Sequence, residues 1–226
     1  MNRILLIEVS TERGIVGIVQ DGKILFLAEL PFGMQNSTYL LPEIQRGLVE
    51  TGLSLSQLTL IAVGVGPGSY TGIRVGATAA KALSFASRIP LVGVCSLDTF
   101  IPEQSGPFAS VIDAKIGGIY WQAGIKENGK VVFEGGPQIT PLSTASEMLA
   151  KYPVLVTPNA IQLRSKLNAA EWTWVESYPS VLQLAARAEE KFLRGEVSVD
   201  GELELLYMRK TQAEIEREQR KSNVLD

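Results

Sequence analysis

The sequence predicts an α/β protein of two lobes, each with a β-β-β-α-β-α order of elements. Three observations carry this expectation. Apolar runs separated by turn signals recur in the same order twice along the 226 residues, first up to Cys95 and again beyond the Pro102–Pro107 stretch. Each half holds a tight-hairpin dipeptide, Asp21-Gly22 and Asn128-Gly129. The run LTLIAVGV (58–65) is continuously apolar and rich in β-branched residues, as in a strand covered on both faces.

In order, RILLIEVS (3–10), GIVGIVQ (14–20) and KILFLAEL (23–30) read as strands, the last two closing on Asp21-Gly22. Polar residues 34–38 lead into a helix of about 39–51. Leu41, Ile44, Leu48 and Val49 give it an apolar stripe, and Pro42 is tolerable only near its first turn. The 58–65 strand, a helix over 72–87 and the strand LVGVC (91–95) complete the first lobe. The second repeats the plan with strands at 109–113, 119–125 and 131–135 around Asn128-Gly129. The pattern Thr144-x-x-Glu147 reads as a capping box opening a helix near 145–151. A strand at 153–157, a helical stretch near 160–167 and a strand at 172–176 follow, and Pro179-Ser180 opens a helix reaching about Arg194. Glu8 and Asp113 occupy corresponding places, each ending a first strand. The run LELLYMRK is either a last strand or a docking segment, and the charged stretch from Thr211 is a solvated tail. The expected division is therefore 1–102, 103–210 and a tail of 211–226.

Composition narrows the chemistry. Hydrophobic residues make up 46% of the chain, and a net charge of −3 gives no general attraction to nucleic acid. No apolar run approaches the roughly 20 residues that span a bilayer. MNRILLIEVS has no secretory layout, and the single Cys95 permits no intrachain disulfide, so a cytoplasmic protein is expected. The chain has no histidine. That removes Ser-His and Cys-His catalysis and imidazole metal ligands, and with them a peptidase.

The least ordinary stretch is VGVGPGSYTGIRVGATAAKALSFA (63–86), a glycine-rich turn from strand to helix. It lacks the lysine of a P-loop and the spacing of a dinucleotide fingerprint. A tight turn that lets the helix pack on the sheet is the first expectation; a phosphate loop of Gly66, Gly68, Ser69 and Thr71 is the alternative. Gly72, Gly76, Ala80 and Ser84 recur every four residues and leave one helix face almost without side chains. That face admits the close approach of another helix, either from the same chain or from a partner subunit. Trp121, Trp172 and Trp174 are expected to pack on the sheet, Cys95 to be a buried apolar residue, Asp113 to cap a turn, and Ser10 and Thr11 to satisfy the turn after the first strand.

Two such halves are the plan of the actin-like ATPase (ASKHA) fold. Within it, ILLIEVST together with Gly64–Gly76, GVGPGSYTGIRVG, closely resembles the bacterial TsaB (YeaZ) family, with support from Leu41-Pro42, VIDAKIGGIYW (111–121) and Tyr207-Met208-Arg209. The resemblance implies a non-catalytic subunit of the complex that forms N6-threonylcarbamoyladenosine at position 37 of tRNAs reading ANN codons. Its partners would be the catalytic, metal-holding TsaD-type paralogue and a TsaE-type ATPase, with tRNA reached through the complex and a homodimer formed when the chain is alone. It implies no cofactor of the chain's own, with ATP or ADP at the partner interface, and no metal. The lack of histidine agrees with the TsaB role and undercuts the family's older glycoprotease-like label. The partner would be met through the two first-lobe helices, at Leu40, Ile44, Gly72, Arg74, Gly76, Ala80 and Lys81. The chain departs from the family pattern at Glu8, where the fold's first phosphate loop has Asp, and at Asn36, Lys115 and Gly118. These departures weigh against the competing reading, a free-standing actin-fold kinase or ATPase with Mg²⁺ on Glu8 and Asp113.

Overall fold

The computed structural model describes residues 2–33, 36–115, 117–167, 171–198 and 202–208. Its first sheet is formed by β1 (Arg3–Glu8), β2 (Ile15–Gln20), β3 (Lys23–Glu29), β4 (Leu60–Gly64) and β5 (Leu91–Val94) in the order β3-β2-β1-β4-β5. The β1–β2 and β2–β3 pairs are antiparallel, and β1–β4 and β4–β5 are parallel. The parallel pairs demand crossovers, supplied by α1 (Asn36–Thr51) and α2 (Tyr70–Ser87). The second sheet repeats this plan with β6 (Gly106–Asp113), β7 (Gly118–Glu127), β8 (Lys130–Pro141), β9 (Val154–Thr157) and β10 (Thr173–Glu176), ordered β8-β7-β6-β9-β10. Its crossovers are the shorter α3 (Leu142–Leu149) and α4 (Ala160–Arg164). The α/β actin-like architecture read from the sequence is the one observed.

Alternation along β1 explains the layering. Leu5, Ile7 and Val9 face α1 and α2 in one buried cluster with Val16, Ile18, Phe26, Leu40, Ile44, Ile61, Val63 and Ala80. Ile4 and Leu6 face the other way, with Ile15, Val19, Leu60, Ala62, Val92 and Val94. That second face is covered by α5 (Val181–Leu193) through Val181, Leu184, Ala185 and Ala188. So α5, placed by the sequence in a 103–210 lobe, returns to the first sheet. An amphipathic stripe announces that a helix is covered but not by which sheet.

The run 202–208 is a docking segment, not a strand. Leu203, Leu205 and Leu206 pack on the first core, and Leu206 N–H donates to Val65 O at 2.9 Å. The expected capping box at Thr144 is not formed, because α3 starts earlier, at Leu142, and the Thr144 hydroxyl instead donates to Pro141 O. Pro42 lies inside α1, which begins three residues before the expected position. Ser180 caps α5 as expected, its Oγ accepting from Gln183 N–H. Trp121 and Trp172 are buried in the second core, with Trp174 beside them. The tail 211–226 lies outside the described residues.

Candidate partner surface

The turn from β4 to α2 is built by close approach. Gly66 adopts φ +97°, a region that favours glycine, and a side chain there would meet Ile73 and the Leu206 carbonyl. A Cβ on Gly68 would collide with the Ser10 carbonyl, and one on Gly72 with the Val9 carbonyl. Three of the turn's N–H groups are used within the chain: Ser69 donates to Ser10 O at 2.6 Å, Gly66 to Ser96 Oγ at 3.1 Å and Gly72 to Ser69 Oγ at 3.3 Å. The four residues of the alternative phosphate loop thus divide: Gly66, Gly68 and Ser69 pack and cap the chain itself, and Thr71 is exposed on α2. The packing turn, the first expectation, is what the geometry supports.

The small-residue stripe has the same cause. A methyl group on Gly76 would lie 2.9 Å from Val9 Cγ2, and Ala80 is fully buried. Gly72, Gly76 and Ala80 therefore let α2 lie close on its own sheet, and Leu40 and Ile44 of α1 are buried in the same core. These five residues, expected at a partner interface, are buried within the chain, and the close neighbour of the stripe is β1 and the residues that follow it, a strand and not the expected helix. Arg74 and Lys81 lie on the outer side of α2, Arg74 exposed and Lys81 half-buried.

What the two helices present outward was missed. Phe85 of α2 is 90% exposed, and Val49 and Leu41 of α1 are 74% and 57% exposed. Thr78 and Ala82 lie exposed between Arg74 and Phe85, and α1 and α2 run side by side. The signal was available: Arg74, Thr78, Lys81 and Phe85 form the helical stripe opposite Gly72, Gly76 and Ala80. At one end of this face Arg74 stacks 3.9 Å above the Tyr70 ring, and its Nε donates to Tyr207 Oη at 3.0 Å, which ties the docking segment to α2.

The carboxylates of the kinase-like reading are held apart from such use. Glu8 is fully buried; its Oε1 accepts from Ser10 N–H at 2.7 Å, and burial pushes its carboxyl above the usual range. Its other oxygen, Oε2, is buried against Gly64 without a hydrogen-bond partner among the described residues. Asp113 caps its turn as expected, accepting from Lys115 N–H at 2.9 Å, and both its oxygens accept from Lys166 Nζ, at 2.9 and 2.7 Å. A fully buried carboxyl whose pKa is raised and a carboxylate already paired with its own lysine are poorly placed to share a magnesium ion. Thr11 satisfies its turn through Arg13, but the Ser10 hydroxyl is buried with no hydrogen-bond partner among the described residues. Burial raises the Cys95 thiol to about 12, with nearby Asp98 adding to it, so the group is no nucleophile near neutral pH. No helix among the described residues is long and apolar enough to cross a membrane.

Comparison with known proteins adds three findings. Residues 34–141 match the family model of TsaD, tRNA N6-adenosine threonylcarbamoyltransferase. The chain is 34% identical over 124 residues to the tRNA threonylcarbamoyladenosine biosynthesis protein TsaB of Escherichia coli, covering 53% of each chain. It is 31% identical over 129 residues to the protein of the same name in Haemophilus influenzae, covering 55% of this chain and 54% of that one. These matches span about half the length of the curated relatives. The solved structure of YeaZ from Pseudomonas aeruginosa shares the fold with a TM-score of 0.75 at 22% identity, covering 92% of this chain and all of that one.

Proposed function

We propose that the chain is a member of the TsaB (YeaZ) family and a non-catalytic scaffold and activator subunit in the formation of N6-threonylcarbamoyladenosine at position 37 of tRNAs reading ANN codons. Its partner is the TsaD-type catalytic paralogue, joined by a TsaE-type ATPase. The chain meets tRNA through that complex, in the cytoplasm. It brings no metal or cofactor of its own; ATP or ADP is held where the subunits meet. Alone, the same surface pairs two copies of the chain.

The observation that carries this reading is apolar exposure on the outward sides of α1 and α2, where Leu41, Val49 and Phe85 stand exposed; Arg74 is exposed on α2 as well. Apolar residues with one arginine at the edge are what a protein–protein contact uses. The acids that a kinase or ATPase would need are, by contrast, buried or paired within the chain.

The test is co-expression with the TsaD-type paralogue of the same organism, followed by size exclusion with light scattering. A one-to-one complex with the wild-type chain, lost in Phe85→Glu while the fold is retained, is the expected result. Magnesium-dependent ATP turnover by the chain alone, with no complex formed, would overturn the reading in favour of a free-standing enzyme.

A further inference from the structure

We propose that Arg13 is a latch that holds the two lobes at one fixed angle and keeps the cleft between them shut. The chain passes between the sheets twice, through residues 95–105 and 177–180, and these crossings are tied together where Ser180 N–H donates to Thr99 O at 2.7 Å. Two tied crossings make a hinge. A hinge alone leaves the rest of the interface free to open, as a ligand-binding cleft requires.

Here the β1–β2 turn reaches across the cleft instead. Arg13 Nε donates to Pro158 O at 2.7 Å, and its Nη2 pairs with the Glu176 carboxylate at the end of β10. The guanidinium also lies over the rings of Phe32 and Tyr178, 5.1 and 4.9 Å from their centroids. Tyr178 in turn donates from its hydroxyl to Leu30 O at 3.2 Å, so its ring is fixed to the first lobe. The receiving side is equally fixed, because the second Glu176 oxygen accepts from Ala160 N–H at 2.8 Å at the start of α4. Next to Arg13, Glu12 accepts from Asn159 Nδ2 at 3.1 Å and lies 4.0 Å from Lys115 Nζ.

An exposed lysine–carboxylate pair contributes little, because water screens it and two long side chains must be ordered. Arg13 differs on each count. Only 19% of its side chain is exposed, its planar fork serves two acceptors at once, and two aromatic rings hold the plane in place. The device therefore sets geometry: α1 and α2 are presented on a body whose two halves do not move against each other.

The test is a spin-label distance across the cleft in the full chain. Lys23→Cys on β3 and Glu147→Cys on α3, both exposed, carry the labels in a Cys95→Ala background. The expected result is one narrow distance distribution for the parent, which widens and moves in Arg13→Ala and in the milder Glu176→Gln. The exchanged pair Arg13→Glu with Glu176→Arg restores part of the narrowing. A broad distribution in the parent would overturn the proposal, as would distributions for both single variants that superimpose on the parent's. If Arg13→Ala does not fold, Glu176→Gln, which keeps the Pro158 contact, decides alone.

Discussion

Replacing Gly72 by alanine tests whether the small-residue stripe of α2 serves the chain's own sheet. The new methyl would collide with the Val9 carbonyl oxygen, a backbone atom that no rotamer change can move aside. Overpacking of this kind costs about 3 kcal/mol, at the upper end of the usual range, because strand or helix must shift as a unit. Alanine's better helix propensity returns at most about 1 kcal/mol, and less in the first turn, where Gly72 lies. The net loss is about 2 kcal/mol, which for a chain of this size lowers Tm by about 4–8 °C. Gly76→Ala is the internal comparison: its methyl would meet the Val9 and Val63 side chains, the closest at 2.9 Å. That contact can relax, so cost and propensity nearly cancel and Tm stays within about 2 °C of wild type. Thr78→Ala, on the exposed side, is the control and leaves Tm unchanged. Thermal unfolding followed by circular dichroism reads all three. A Gly72→Ala protein with wild-type Tm that no longer binds the paralogue would refute the reasoning and return the stripe to a partner interface.

Three further outcomes follow from the same geometry. Burial raises the Glu8 carboxyl in the fold above its ordinary value of 4.5, so its stabilising contribution is full below the unfolded value and is lost as pH rises toward the native one. Wild type should therefore lose stability relative to Glu8→Gln as pH rises above 4.5, by at most about 1.4 kcal/mol per pH unit for one proton, and parallel urea-denaturation profiles for the two proteins would disprove this. Cys95, raised to about 12 from 9.0, carries about a thousandfold less thiolate than an ordinary cysteine near pH 8. Cys95, expected to be buried, is partly exposed, so thiol reagents should label it slowly in the native protein near pH 8; labelling as rapid as that of an ordinary cysteine would contradict the raised pKa. Phe85→Ala should leave Tm unchanged and weaken binding to the paralogue by about thirtyfold, or about 2 kcal/mol, in calorimetry; an unchanged Kd would remove Phe85 from the contact.

The parts of the fold readable from sequence are those governed by local rules. Both hairpins close at their glycine dipeptides, the β4 run is buried on both faces, and Ser180 caps its helix, because each depends on neighbours a few residues away. What escaped depends on residues far apart in the chain. The α5 stripe fits either sheet equally well by period, and only the assembled molecule shows it filling the face left by Ile4 and Leu6. At Thr144 a local rule failed because β8 runs without a break into α3, which moved the helix start ahead of the capping pattern. The candidate site was half legible. Arg74 and Lys81, expected at the rim of the small-residue contact, lie instead on the opposite side of α2. The glycine stripe was recognised as a close-contact face, but its partner turned out to be the strand at whose end Glu8 lies.

The two lobes share one plan, and the difference between them bears on which surface works. In the second lobe the crossover helices have 8 and 5 residues, enough to cover a five-stranded sheet. In the first they have 16 and 18, although the inward residues Leu40, Ile44, Gly47, Ile73, Ala77 and Ala80 already seal the core. Extra helix length that served only the core would end in charged outward positions, since solvated charge favours solubility and discourages association. Along the outer side of α2 the chain instead places Thr78, Ala82 and Phe85, and α1 places Leu41 and Val49, while the charged Arg46 is engaged with Glu43 and Glu50 on its own helix. A face of exposed apolar residues set between Arg74 and Lys81 and backed by a small-residue packing layer is stiff and buries apolar area when covered. Stiffness at the helices and the Arg13 latch then act together: the first fixes the surface on its lobe, and the second fixes that lobe on the rest of the chain.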